Sequence, residues 1–413
     1  MPPNTTPDPP NLTFGQRLKI HRTRRGMTRE VLAGLVGKSA SWVKALETGR
    51  LQTPKLPVLL RLAEALRVHD LAQLTGDQTS PHIDLFTGPG HERLPAVRAA
   101  VNALPALTAR AAPTVKHLRA RLSHAWSARH SSPYHRDVLG QLLPGLIIDA
   151  QLAAHQTENR SERRAAQALL AEVYALAQFF LAYQPDSALL WRVAERGMVA
   201  AQDSGDPHAV GISAWLMAQA HRDTGDWDSA DQVTQDTTAA LEPHLSEASS
   251  DVRAIWGALV FESGYTAARR GEIGAAWGYW DSASMMAARL PLGYYHPVTS
   301  FGPAIMDAHA VTVAVELHAG GEGARTARRA DPAMIPSRPR RARHQIEQAR
   351  AYHLDAQPEA ALSTLEAAHD AAPETIRYNA YARRILLEEL DERDGRRQRR
   401  ASTLADRMGM LAT

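Results

Sequence analysis

Small residues recur at a fixed spacing in the C-terminal part of the chain, and this spacing is the strongest restriction on its fold. After Leu94 the sequence keeps a helical periodicity for about 300 residues, with almost no β-branched alternation. Three segments, "GDWDSADQV", "GEIGAAWGYW" and "AQPEAALSTL", each place a helix break before a small alanine. Another small residue precedes each alanine by 12 positions, in the pairs Ala218 and Ala230, Gly264 and Ala276, and Ala349 and Ala361. Because small side chains let two helices approach closely, we expect stacked helical hairpins.

This pattern resembles the tetratricopeptide repeat, whose two helices pack through small residues and stack into a superhelix. Pro243 and Pro373 are expected to close two of the hairpins. The step from Ala230 to Ala276 is 46 residues, longer than the usual repeat of about 34, so these helices should be extended. We predict a helical connector at 93–160, a tetratricopeptide-like α-solenoid at 161–395 and a charged capping helix at 396–413.

A compact five-helix domain is predicted for residues 14–75, which makes the expected fold class all-α. Its apolar residues recur at helical spacing. Thr28 and Ser39 are expected to cap the second and third helices, and Gly26 and Gly49 to end the first and third. An amphipathic fourth helix follows "RLQTP", and "HDLAQLTG" forms a short fifth.

The segment "GMTREVLAGLVGKSASWVKALETGRLQTPKLPVLLRLAEALRV" is similar to the helix-turn-helix of phage repressors, the Cro/C1 or XRE type. The likeness lies in Thr28 before the second helix, Ala33 in its middle, Gly37 in the turn, and the pair Val43 and Leu46. It implies double-stranded DNA as the partner, with the second helix crossing the phosphate backbone and the third entering the major groove.

Nine residues would occupy or flank the DNA-facing positions of such a domain: Arg29, Lys38, Ser39, Ala40, Ser41, Lys44, Ala45, Arg50 and Lys55. The resemblance places Arg29 at a phosphate. Ala40 and Ala45 stand where many relatives carry side chains that make bidentate contacts with guanine or adenine. Only Lys38 and Lys44 can reach guanine acceptors, so we expect weak direct base recognition. The alternative is a bundle that binds no DNA and serves as a protein-interaction or dimerisation module.

The charge distribution favours nucleic acid at one end of the chain. Residues 1–75 carry 12 Lys and Arg against five Asp and Glu, a balance of +7, which leaves −4 for the remainder of a chain of net charge +3. A basic domain on a mildly acidic body is expected where only one end meets DNA.

The sequence lacks the residues or motifs that several classes of function require. The chain has no cysteine, which excludes disulfides and thiol nucleophiles. It contains no Walker A, GxGxxG or HExxH motif, and the spacing of His117, His124, His130 and His135 fits no metal site. We therefore predict no enzymatic activity, no cofactor and no metal. Residues 1–13 are expected to be a disordered tail. Since no export signal or membrane span is recognisable, we expect no membrane partner and a cytoplasmic location.

A linker is predicted at 76–92, and an effector site in the aromatic-rich interval that follows Trp256. The candidate ligand-binding residues are Trp256, Tyr265, Trp277, Tyr294, Tyr295 and His296. Alternatively, these side chains pack between helical layers. Seven arginines fall between Arg325 and Arg343, and this run is either a solvated loop or a contact for an anionic partner.

The segment "HSSPYHRDVLGQLLPGLIIDAQLAA" is similar to a large group of actinobacterial regulators that join this head to a degenerate tetratricopeptide body. The layout also resembles the peptide-pheromone receptors of Gram-positive bacteria. It implies a homodimeric transcription regulator with a small-molecule, peptide or protein effector. Peptide grooves of those receptors commonly use Asn, whereas from Leu94 onward this chain has only Asn102, Asn159 and Asn379. The alternative function is an interaction scaffold whose head is a weak DNA tether or a dimerising unit.

Overall fold

The computed structural model describes residues 12–51, 53–54, 56–68, 71–75, 90–104, 110–392 and 394–410. The chain divides into two compact units, residues 1–83 and 84–413, whose described parts we call the head and the array. Both are helical, and no strand occurs within the described residues, which confirms the all-α prediction. Most of the predicted tail and linker, and Lys55, lie outside the described residues.

Five helices form the head: α1 (Phe14–Arg24), α2 (Arg29–Leu35), α3 (Ala40–Glu47), α4 (Leu56–Ala65) and α5 (Ala72–Thr75). The predicted caps are confirmed: the Thr28 and Ser39 hydroxyls accept from the backbone N–H of Val31 and Trp42, respectively. Gly26 and Gly49 follow α1 and α3 at φ values of +63° and +72°, where glycine avoids the strain that a side chain would cause.

The core of the head draws on all five helices, through buried leucines such as Leu18, Leu32 and Leu74. The start of α1 lies very close to the end of α3. A Cβ atom at Gly15 would lie only 2.2 Å from the carbonyl oxygen of Leu46, so this approach requires glycine.

A buried carboxylate joins the first three helices of the head. The side chain of Glu47 is 1% exposed, and its two oxygens accept from Arg22 Nε at 2.5 Å and Arg29 Nε at 2.7 Å. Arg22 also donates to the carbonyl of Met27, at 2.6 Å. Burial alone would raise the pKa of Glu47, but the two arginine hydrogen bonds outweigh it and lower that pKa.

The array begins with three helices, α6 (Leu94–Asn102), α7 (Val115–Ser131) and α8 (His135–Gln156). Helical hairpins follow: α9 (Arg160–Leu181) with α10 (Ser187–Ser204), α11 (Pro207–Asp223) with α12 (Trp227–Leu241), α13 (Ser250–Arg270) with α14 (Ile273–Ala287), α15 (Met306–Glu316) with α16 (Gly320–Arg329), and α17 (Arg338–Leu354) with α18 (Pro358–Ala371). The short α19 (Pro373–Arg377) leads to a last hairpin of α20 (Ala380–Leu390) and α21 (Gly395–Arg407).

The small residues lie where the helices of a hairpin touch, as their spacing predicted. The five alanines of the three pairs are fully buried. A Cβ atom on Gly264 would lie 2.9 Å from Tyr279 Cβ and 3.2 Å from the carbonyl oxygen of Ala276, both on the partner helix. These contacts confirm the tetratricopeptide-like hairpin.

The first helices of the hairpins form a closed inner ring. Each packs on the next, α9 on α11, α11 on α13, α13 on α15, and α15 on α17. Helix α17 then contacts α7, which itself packs on α9. We call α7, α9, α11, α13, α15 and α17 the inner ring. The α-solenoid is therefore joined back to the connector, a contact that the repeat pattern does not predict.

Buried hydrogen bonds between Arg136 and Glu374 join the start of α8 to the short helix α19. The Glu374 carboxylate accepts from the backbone N–H of Arg136 at 2.5 Å and of Asp137 at 3.2 Å, so it caps α8 from a position 238 residues away. The Arg136 guanidinium donates to the carbonyls of Glu374 at 3.0 Å and Ala182 at 2.9 Å. His91, from the predicted linker, is buried in the array and lies 3.4 Å from Glu374.

The arginine-rich run is part of the packed array. It covers the end of α16, a single 3₁₀ turn at Pro332–Met334 and the start of α17. Arg338 donates to the carbonyl of Ala371 at 2.8 Å, and Arg343 pairs with Glu347. The interpretation of the run as a solvated loop is therefore wrong for its second half, from Arg338 to Arg343.

Replacing Gly264 with Ala should destabilise the array, because the new methyl group would overlap α14. Overpacking of this kind costs about 1–3 kcal/mol. The matched control is Gly278→Ala on α14, where a Cβ atom meets nothing within 4 Å and helix propensity should add up to about 1 kcal/mol. Thermal melts of the two full-length variants should move in opposite directions. Equal stability would contradict a close contact at Gly264.

Replacing Glu47 with Gln should loosen α1 to α3, since it leaves two arginines without their carboxylate. Breaking a buried pair costs roughly 3–5 kcal/mol, and hydrogen exchange at neutral pH should rise in these helices while array peptides stay unchanged. Because the folded pKa of Glu47 is lowered, its stabilisation is present above the ordinary glutamate pKa and is lost as pH falls through the folded value.

The difference in exchange between wild type and Glu47→Gln should therefore shrink in acid, with both measured at the same pH. Glu30→Gln is the control, because Glu30 is an exposed carboxylate on α2. If both substitutions have the same small effect, the buried pairs do not stabilise the head.

Candidate nucleic-acid interface

The turn between α2 and α3 orients the start of α3. Gly37 adopts φ +64°, and the N–H of Lys38 donates to the carbonyl of Ala33 at 2.9 Å. Ser39 then has an extended backbone, and its Oγ accepts from the N–H of Trp42 at 3.1 Å. Because the Ser39 oxygen accepts the capping hydrogen bond, the O–H of Ser39 remains to donate a hydrogen bond to a partner.

One face of α3 is buried and the other is open. Val43 and Leu46 are 0% and 1% exposed and pack into the head. The remaining predicted positions in this region separate into two groups. Lys38, Ser39, Ser41, Lys44 and Arg50 are exposed, whereas Ala40 and Ala45 are half-exposed. The structure therefore gathers most of the predicted DNA-binding residues on one outward surface, which we call the α3 face.

Two basic residues at this surface also contact the head itself. The Nζ of Lys38 lies 5.9 Å from the centroid of the half-buried Trp42 ring, close enough for a cation–π interaction. Arg29 donates through Nε to Glu47, and its side chain is 34% exposed. Part of the Arg29 guanidinium therefore has a structural role, and its predicted phosphate contact depends on the remaining N–H groups.

The structure separates the six predicted ligand-binding residues. Trp256 Nε1 is buried without a hydrogen-bond partner among the described residues. Tyr265 lies under Arg222, whose guanidinium carbon is 4.3 Å from the ring centroid, and Trp277 packs edge-on against Trp280. These residues are close in the sequence and were therefore predicted to share a site. In the structure, their side chains on α13 and α14 have different surroundings.

The three neighbours Tyr294, Tyr295 and His296 have three separate partners. The Tyr294 hydroxyl donates to Asp251. Burial, and next this hydrogen bond, raise the pKa of Tyr294. The Tyr295 hydroxyl donates to Ser300 Oγ at 2.7 Å. His296 is fully buried; its Nε2 lies 3.2 Å from the Nε2 of His208, and burial, with the charge of His208, lowers its pKa to about 3. Each of these three side chains therefore has its own hydrogen-bond partner within the array.

Neither a metal-binding group nor a membrane-spanning helix occurs among the described residues. No group of three or more His, Asp or Glu side chains in this part of the chain could hold a metal ion. No helix in the described ranges is long and apolar enough to cross a membrane.

Solved structures that resemble the chain do so distantly. BtubC (BKLC) of P. vanneervenii is 14% identical, with a TM-score of 0.37 over 63% of this chain and 91% of that one. PlcR of Bacillus thuringiensis, solved in complex with the peptide PapR7 and DNA, is 11% identical, with a TM-score of 0.26 over 84% and 98%. ComR of S. thermophilus, solved with DNA and its signalling peptide ComS, is 15% identical, with a TM-score of 0.24 over 60% and 99%.

These TM-scores lie below 0.5, and no conclusion about this chain follows from them. No curated protein sequence matches the chain. Residues 13–74, which include all five helices of the head, match the family model described as a helix-turn-helix domain.

Proposed function

We propose that this protein is a DNA-binding transcription regulator of the XRE type, with a head that binds operator DNA and an array that senses an effector. The observation that carries the proposal is the α3 face. It presents exposed Ser41 and Lys44 on the helix that enters the major groove in domains of this kind, with exposed Lys38 just before that helix and exposed Arg50 just after it. A regulator of this kind works in the cytoplasm, needs no cofactor and catalyses no reaction.

The composition of the α3 face sets the expected balance of forces. Its lysines and Arg50 can neutralise phosphates, which gives affinity that falls steeply with salt. Lys44 is the longest side chain in the predicted groove-facing set and can donate to guanine O6 or N7. Ala40 and Ala45 can contact only thymine methyl groups or the sugar. Selectivity should therefore depend on few base contacts and on DNA shape.

A homodimer would compensate for this short recognition surface. Two heads on DNA half-sites about 34–36 Å apart contact twice as many base pairs as one head. The array would set the distance between the two heads. The effector would be a small molecule, peptide or protein that changes this spacing. Light scattering of the purified protein tests the dimer.

Selection of genomic fragments with the full-length protein tests the function as a whole. We expect an enriched sequence with two related half-sites, and an affinity that decreases linearly on a logarithmic salt scale. If all duplexes bind alike, the operator-specific function is refuted, and the chain is better described as an interaction scaffold with a weak DNA tether.

Replacing Lys44 with Ala should weaken binding to the selected sequence by about 1–3 kcal/mol and relax the base preference at one position. The physical reason is the loss of one donor to a guanine edge. Titrations of wild type and variant on the selected site and on a scrambled duplex measure both effects. The control is Lys116→Ala, which removes the same charge from an exposed position on α7 of the array. An equal loss on both duplexes would mean that Lys44 contacts phosphate only.

A further inference from the structure

Three aromatic side chains from consecutive helices of the inner ring form a row. They are Trp126 on α7, Phe179 on α9 and Trp215 on α11. The ring centroids of Trp126 and Phe179 are 5.6 Å apart, and those of Phe179 and Trp215 are 6.2 Å apart. We call these three residues the aromatic row. Phe179 in the middle is only partly buried.

Two arginines lie over this row. The guanidinium carbon of Arg129 is 4.2 Å from the centroid of Phe179 and 5.7 Å from that of Trp126. That of Arg340 is 5.0 Å from Phe179 and 5.3 Å from Trp215. Arg340 belongs to α17, whose neighbours in the inner ring are α15 and α7. To contact residues of α9 and α11 it must extend across the interior of the ring, so the two arginines meet inside it.

Neither arginine has a carboxylate partner among the described residues. This is unusual for a buried cation, and Arg129 is only 5% exposed. The Nε atoms of both are buried without a hydrogen-bond acceptor in this part of the chain. Their remaining contacts are long: Arg129 Nη1 to His130 Nδ1 at 3.3 Å, and Arg340 Nη2 to the carbonyl of Val298 at 3.3 Å. Buried donors normally find acceptors. The Nε of Arg222 is buried without an acceptor as well, but its guanidinium is paired with Glu262, so the feature that distinguishes Arg129 and Arg340 is the absence of a paired carboxylate among the described residues.

Other arginines on the helices of the inner ring are paired with carboxylates. Arg222 pairs with the buried Glu262, and Arg343 with Glu347. Arg350 contacts Glu316 at 2.8 Å and Glu347 at 2.6 Å. Within the described residues, the protein therefore pairs these buried cations with carboxylates, whereas Arg129 and Arg340 have no carboxylate in direct contact and Arg340 feels Glu262 only as a more distant charge.

The arginine pair is electrostatically unfavourable as it stands. Burial, and next the charge of Arg340, lowers the pKa of Arg129 to about 9. Burial and the two arginines lower the pKa of the adjacent His130 to about 3, so this imidazole is neutral at physiological pH. An anion between the guanidinium groups would relieve the repulsion, and arginine forks suit carboxylate and phosphate oxygens.

A second arginine cluster lacks these features. It lines an open cleft of about 1100 Å³ that includes Arg163, Arg164 and Arg196. These three donate to backbone carbonyls of Thr157, Ser204 and Val101, respectively. Their donors complete the ends of neighbouring segments, which is a structural role.

We infer that Arg129 and Arg340 bind a small oxyanion, a carboxylate or a phosphate, carried on a flat apolar group that packs on the aromatic row. The inference names the chemical class of the effector and rests on the proposed function only for its effect on DNA binding. Because Arg129 lies on α7 and Arg340 on α17, the ligand would bridge the two helices that close the inner ring.

Calorimetric titration of the full-length protein without DNA tests the site, with benzoate and phenyl phosphate as probes and benzamide as the neutral control. We expect at least one oxyanion to bind and benzamide not to bind. The preferred oxyanion tells carboxylate from phosphate. Arg129→Gln and Arg340→Gln should each weaken binding at least tenfold, whereas Arg340→Lys should retain part of it. If neither oxyanion binds, or if both Gln variants bind as well as wild type, the inference is wrong.

Thermal melts without any anion separate a binding role from a structural one. Arg129→Gln and Arg340→Gln should melt at or above the wild-type temperature, because each removes a repelling charge. The control Arg222→Gln should melt lower, because it leaves Glu262 buried without its partner. If all three variants melt equally low, Arg129 and Arg340 are structural, and the inference is overturned.

The DNA measurements distinguish this inference from the proposed function. If oxyanions bind but do not change operator affinity, the site is supported and its effector role is refuted. If the wild-type protein shows no sequence preference on DNA, the regulator function is refuted, whereas the anion titration stands unaffected.

Discussion

The contact between α7 and α17 determines the geometry of the whole array. Tetratricopeptide-like hairpins stack by nearest-neighbour contacts and leave two ends, but here the first helices return to the connector. The Glu374 carboxylate caps α8, and the Arg136 guanidinium bonds the carbonyls around it. Both groups are buried. The partners of the carboxylate are backbone N–H groups and those of the guanidinium are backbone carbonyls, so the two side chains hold the same segments together through separate sets of hydrogen bonds.

Closure explains why the interior of the array is so rich in charge. A ring of helices directs side chains inward, where they lose contact with bulk water, and Arg129, Arg222 and Arg350 are all buried. Most of these cations are matched by glutamates from neighbouring helices, as Arg222 is by Glu262. Where the match is absent, at Arg129 and Arg340, aromatic rings supply only part of the lost hydration energy. The interior thus combines a stabilising network with one position that suits an external anion.

The sequence predicted the local features and missed the distant ones. Small-residue spacing located the hairpin contact at Gly264, and hydroxyl residues before apolar runs located the caps at Thr28 and Ser39. Both depend on residues close together in the chain. By contrast, the sequence around Arg136 does not predict its bond to Glu374, 238 positions away. The aromatic residues after Trp256 have different partners in the structure, because sequence proximity does not decide which face of α13 or α14 a residue occupies. Arg340 stands in a run of arginines, but its aromatic partners lie on α9 and α11.

The closed inner ring also changes how the array should fold. An open repeat protein can begin folding at any hairpin and can fray from its ends, because each repeat depends only on its neighbours. In this array, the bonds of His130 to Ser337 and of Arg136 to Glu374 join residues 207 and 238 positions apart. Such contacts add loop-closure entropy to the folding barrier and slow folding. In return, the helices from α7 to α17 have no free end at which unfolding can start, so they open together or not at all.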